Sequence, residues 1–238
     1  MKTIIITLAS LFIITGMCIY FSMPTQVTKE VSVMRDVTDS ELAQPNANQI
    51  IPLFGLSDNK WNGAQFHFQD ISNVSFNQVV EVSIPSGNEW LSNEFNRDKD
   101  IKTFYGQIAQ TITDSTKEKI GRTHSSVYLP IANELNRLSQ SSAKRRVLIL
   151  YTDLMENDIN FSFYNKATFT LLKKNPEKIL DHFKSEQPIN RLDGIEVYLI
   201  YQPKDACTDL QYQVVSNVYK TMLTALGAKV TITANLAN

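Results

Sequence analysis

The residues with chemistry to offer lie where apolar runs stop. In "VSVMRDVTDSE", Val31 to Glu41, a β-alternating stretch gives way to Asp36, Thr38 and Ser40 at every second position. In an extended chain, side chains at i, i+2 and i+4 point the same way, so one carboxylate and two hydroxyls can aim at one point. "RRVLILYTD" ends in the same manner, with Thr152 and Asp153 after an apolar run. "GRTHSS" places Thr123 just ahead of a helical pattern, and "YQPKDACTD" offers Asp205 and Asp209 after the last apolar runs. Carboxylates with neutral hydroxyls are hard oxygen ligands. They suit an octahedral divalent ion such as Mg²⁺ or Mn²⁺, which keeps several waters. The same residue types also cap helices and close Asx turns, and Thr38 or Ser40 taken alone fits that role as well.

The elements that position these residues follow from periodicity. "VLILY" is a continuous apolar run bounded by charge, as a parallel strand covered on both faces requires. "GIEVYLIYQP" reads the same way, and "KVTITANL" closes the chain as a strand. "AQFHFQDIS" and "FNQVVEVSIP" alternate and predict two strands joined by a polar turn. Helices are predicted where apolar residues step by three and four: Ile101, Phe104, Tyr105, Ile108 and Ile112, then Val127, Ile131, Leu135 and Leu138. Two more follow, one starting at Asn175 with Pro176 in its first position, and one ending at Gly227. Pro45 and Pro52 leave space only for a short helix around Asn48 to Leu56. Strands alternating with helices predict an α/β fold, a doubly wound and mostly parallel sheet with helices on both faces. Ligands of such sheets bind beyond the carboxyl ends of the strands. If Asp36 and Asp153 serve one ion, "VLILY" must lie next to the first strand.

D-x-T-x-S after the first strand, a Thr in a later loop and an Asp after an apolar strand resemble the von Willebrand factor A-type (VWA) domain. Its metal-ion-dependent adhesion site is built from five such positions. The matches here are Asp36, Thr38, Ser40, Thr123 and Asp153. The resemblance spans about residues 30 to 235 in element order, and its specificity lies in those five residues. It implies that Thr38, Ser40 and Thr123 hold the metal directly and that the aspartates act directly or through water. A partner protein's Asp or Glu carboxylate then takes the open position. The chain departs from the family at Thr38, where Ser is usual, and at Leu154, where Gly is usual. Pro45 and Pro52 interrupt the place of the first helix.

Composition narrows the alternatives. With 23 basic and 24 acidic residues there is no electrostatic footprint for nucleic acid. Two cysteines, Cys18 and Cys207, make neither a disulfide framework nor a Cys-rich zinc site. His67, His124 and His182 are scattered. A nucleotide-binding enzyme would need a Gly-rich phosphate loop, which the chain lacks. A Mg²⁺-dependent phosphatase-like hydrolase would need a second Asp two residues after the first, and Thr38 stands there. The expectation is therefore a binding module and not an enzyme. A metal-free structural VWA-like part of an envelope assembly is the alternative.

Ile4 to Met23 is an uncharged run of 20 residues. As a helix it would rise about 30 Å, the thickness of a hydrocarbon core. Residues 1–25 are thus expected to form a transmembrane or signal helix, and 26–238 a single VWA-like domain. The segment fits a retained anchor, a cleaved signal peptide or a lipoprotein modified at Cys18. Each places the body outside the cytoplasm, periplasmic or extracellular.

Overall fold

The computed structural model describes residues 27–37, 42–71, 78–90, 92–117, 125–158 and 161–236. The anchor or signal expectation for residues 1–25 lies outside them. Among the described residues, no helix is long and apolar enough to cross a membrane.

Among the described residues, six strands form one sheet: β1 (Val27–Asp36), β2 (Gly63–Ile71), β3 (Val79–Ile84), β4 (Arg145–Tyr151), β5 (Ile195–Ile200) and β6 (Lys229–Thr233). Their spatial order is β3-β2-β1-β4-β5-β6. All neighbours are parallel except β2 and β3, which pair antiparallel at one edge. The "VLILY" strand does lie beside β1, with Val31 opposite Val147 and Arg35 opposite Tyr151.

The apolar run of β4 is read by two cores at once. Val147, Ile149 and Tyr151 join one, with Val31, Val33, Phe66 and Phe68 from β1 and β2. Leu148 and Leu150 join the other, with Met34, Val197 and Leu199. That is why β4 carries no polar alternation.

Helices cover both faces. On the first lie α1 (Ala47–Ile50) with a 3₁₀ turn over Ile51–Phe54, and α2 (Glu94–Lys117). They bury Ile50, Phe54, Phe104, Ile108 and Ile112. The two prolines limit α1 to one turn, and Gly55 ends the 3₁₀ segment at φ 54°. On the second face lie α3 (Tyr128–Ser139), α5 (Pro176–Glu186) and α6 (Ala206–Ala225), with α4 (Lys166–Lys174) beside α5. Pro130 falls in the first turn of α3, where its missing N–H costs nothing. The Tyr128 and Phe183 rings stack at 4.1 Å and lock α3 to α5. The architecture is α/β, with a six-stranded, mostly parallel sheet consistent with a Rossmann-like fold.

Candidate functional site

The β1 and β4 ladder ends with Arg35 opposite Tyr151, so the next pair of residues is Asp36 and Thr152. Both are 1% exposed. The Thr152 hydroxyl donates to Asp36 Oδ2 at 3.1 Å and accepts the Leu154 N–H at 2.9 Å. Asp153, half-buried, closes an Asx turn by accepting the Met155 N–H at 2.9 Å. These bonds turn the chain sharply once the strand ends, because Leu154 must return to the core, where it is fully buried. The turn forces Leu154 to φ 59°, a left-handed backbone that glycine adopts freely and a branched side chain does not.

Thr38, Ser40 and Thr123 lie outside the described residues. The segment that follows Thr123 does not. Ser125 and Asn157 form a two-way backbone bridge, with N–H to O distances of 3.1 and 3.0 Å. The start of α3 is thereby strapped to the loop that follows Asp153. Of the five expected ligands, Asp36 and Asp153 are therefore seen to come from adjacent strand ends, and the described chain resumes at Ser125, bridged to Asn157 four residues beyond Asp153.

Glu156 lies in the same loop, three residues beyond Asp153. It is 3% exposed, and its carboxylate accepts the backbone N–H groups of Val127 (3.0 Å) and Tyr128 (2.8 Å). It caps the N-terminus of α3 from across the fold, where the helix dipole favours negative charge. Burial nevertheless dominates and pushes its pKa up to about 7. The two backbone donors pull the other way, and Glu186 and Asp158 add to the rise.

Arg35 was not singled out by sequence, although a charged residue inside a buried strand is itself a signal. It points to the face opposite Asp36 and forks onto Asp70, Nε to Oδ1 and Nη2 to Oδ2, both at 2.8 Å. It also donates to the Ser115 carbonyl at 2.8 Å. One guanidinium thus ties the ends of β1, β2 and α2 behind the site. Asp205 is used elsewhere: it forms a capping box with Thr208 at the start of α6. Asp209 accepts from Gln213, one turn along the same helix. Cys207 is exposed and free.

The arrangement is acceptor-rich. Asp36 and Asp153 supply carboxylates and Thr152 a hydroxyl, which are donors of the type a hard cation takes. Among the described residues, no group of three or more His, Cys, Asp or Glu gathers to hold a metal. His67 lies in β2 and His182 in α5, the latter with its ring 4.4 Å from that of Phe161. His124 lies outside the described residues. In comparisons with known proteins, no family model and no curated protein sequence matches the chain.

Proposed function

We propose that the chain is a membrane-tethered VWA-like domain that binds a protein partner through a divalent metal site at the carboxyl edge of its sheet. The observation that carries this reading is the meeting of Asp36 and the Thr152–Asp153 turn at the ends of adjacent parallel strands. Two features support it. Leu154 has a left-handed backbone at the position where A-type domains usually carry Gly. The sheet has the element order the resemblance implies, with one antiparallel edge strand. Asp36 and Asp153, with the hydroxyls of Thr38, Ser40 and Thr123, would hold Mg²⁺ or Mn²⁺. The ion would supply an open position for a partner's Asp or Glu carboxylate.

The tether is residues 1–25, with the body outside the cytoplasm. Val27 begins β1 and Asp36 ends it. At about 3.3 Å per residue, the site stands about 30 Å from the edge at which the tether enters. It faces away from the membrane, where a partner can reach it.

One observation favours a second reading, a metal-free structural role in an envelope assembly. Asp36 is buried and already accepts a hydrogen bond from Thr152, so its charge has protein support without a cation.

Thermal unfolding of the full chain in detergent, with Mg²⁺, Mn²⁺ or EDTA, separates the two. A ligand binding only the folded state at a hundredfold excess over Kd adds about 2.7 kcal/mol. Asp36→Ala should abolish that increment. Absence of any metal-dependent shift in the wild type at millimolar concentration would rule out the metal reading and leave the structural one.

A further inference from the structure

The edge of the sheet opposite the candidate site carries a patch that the proposed binding function does not use. Among the described residues, the two most exposed large hydrophobic side chains are Trp90 at 92% and Phe95 at 78%. Both lie between β3 and the first turn of α2. Ile84 at the end of β3 pairs with Ala64, and Val27 at the start of β1 pairs with Gly63. The loop bearing Trp90 therefore leaves the sheet at the same edge at which residue 27 enters it. Two strand spacings separate β3 from β1, about 10 Å.

The patch is held in place. Arg97, 4% exposed, donates to the carbonyls of Lys60 (2.5 Å), Asn62 (2.6 Å) and Pro85 (2.7 Å). It joins the loop before β2, the loop after β3 and the start of α2 into one platform. Gly87 donates its N–H to the Trp61 carbonyl at 2.8 Å. It packs so closely on the indole that a Cβ there would lie 2.7 Å from a ring carbon. Trp90 and Phe95 each sit on a turn closed by an Asn side chain, Asn88 and Asn93, both at 2.9 Å.

We infer that this edge rests on the lipid interface, with Trp90 and Phe95 inserted at headgroup depth. The inference rests on the tether proposed above. Only residues 24–26 separate the uncharged run ending at Met23 from Val27. Three residues reach at most about 10 Å, so a retained anchor holds this edge against the bilayer. Aromatic rings on a rigid support are the side chains that membrane interfaces accept best. Charged neighbours set the lipid class. Glu89 and Glu94 adjoin Trp90 and Phe95 in sequence, Asp58 and Asp98 line the neighbouring hollow, and Lys60 is paired with Glu94 and Asp98. With Lys60 held in ion pairs and Lys99 one turn beyond Phe95, the charges beside the patch are mixed and offer no cationic cluster to anionic headgroups, so the fitting lipid is zwitterionic.

The chain has two tryptophans, which makes the test direct. The full chain with Trp61→Phe is reconstituted into phosphatidylcholine vesicles, and its co-flotation and Trp90 emission are read. The expected result is blue-shifted emission, quenched more by lipids brominated near the headgroup than by those brominated at the chain end. The quenching should not change with salt. If the Trp61→Phe variant fails to fold, the difference between wild type and Trp90→Phe isolates the same signal. Co-flotation with water-like, unquenched Trp90 emission would overturn the inference, leave the tether standing and assign the patch to a protein partner. Failure to co-float would overturn the tether and the inference together.

Discussion

The Thr152 hydroxyl donates to Asp36 Oδ2 at 3.1 Å, joining residues 116 apart in sequence at the ends of β1 and β4. The bond couples the two strand ends that carry the candidate ligands, inside a region nearly closed to water. A hydrogen bond to a charged group contributes about 1.5–3 kcal/mol. Thr152→Val should therefore cost about 2 kcal/mol, and Thr152→Ser, which keeps the hydroxyl, less than about 1 kcal/mol. Urea unfolding measures both. A double-mutant cycle with Asp36→Ala should show coupling well above the few tenths expected of independent sites.

Leu154 sets two effects against each other. Its φ of 59° is strained for a residue with a Cβ, and glycine would relieve about 1–2 kcal/mol. Its side chain is 0% exposed, and deleting a buried Leu costs about 2–5 kcal/mol. Burial wins, so Leu154→Gly should be destabilising by about 2 kcal/mol. A stabilised variant would mean that the side chain contributes little to the core.

Glu156 gives the protein a pH dependence of unusual sign for a carboxylate. Its folded pKa is raised to about 7 from an ordinary 4.5. Between these values the unfolded chain has released its proton while the folded chain keeps it, so stability falls as pH rises. Below about 4.5 the two states are protonated alike and the penalty vanishes; above 7 it is fully present, at about 3 kcal/mol. Glu156→Gln keeps an acceptor for Val127 and Tyr128 but cannot ionise. It should match the wild type at pH 4, exceed it at pH 8 and flatten the profile between. Chemical unfolding at a series of pH values reads this directly, and identical profiles would show that Glu156 does not titrate there.

Arg97 gathers three backbone carbonyls that no shorter or unforked side chain can reach together. Arg97→Met should cost about 3 kcal/mol, and Arg97→Lys should recover only part of it, since an ammonium lacks the planar fork. The near-ultraviolet signal of Trp61 should weaken in both variants, because the Lys60 and Asn62 carbonyls that Arg97 holds flank it.

Much of the frame was legible in the sequence, because it depends on local patterns that survive without their surroundings. "VLILY" reads as a doubly covered strand from its unbroken apolar run, and Asn175-Pro176 marks a helix start because proline tolerates the first turn alone. Asp36 and Asp153 were found by the same logic, as polar residues placed where such strands must end. Helix α4 was not found, since its nine residues are too short a run for the apolar period to stand out, and only Leu172 of them is buried. Tertiary packing decided what each charge does. Glu156 becomes a buried cap only because α3 begins against it, and Arg35 and Arg97 are held in the interior by partners 9 to 80 residues away. Asp205 sits after a strand like Asp36, yet closes a capping box within its own helix start. A carboxylate's sequence position shows that it stands at a strand end. Whether it faces a neighbouring strand, a helix N-terminus or its own turn depends on which backbone donors the fold brings within 3 Å, and those come from segments far away in the chain.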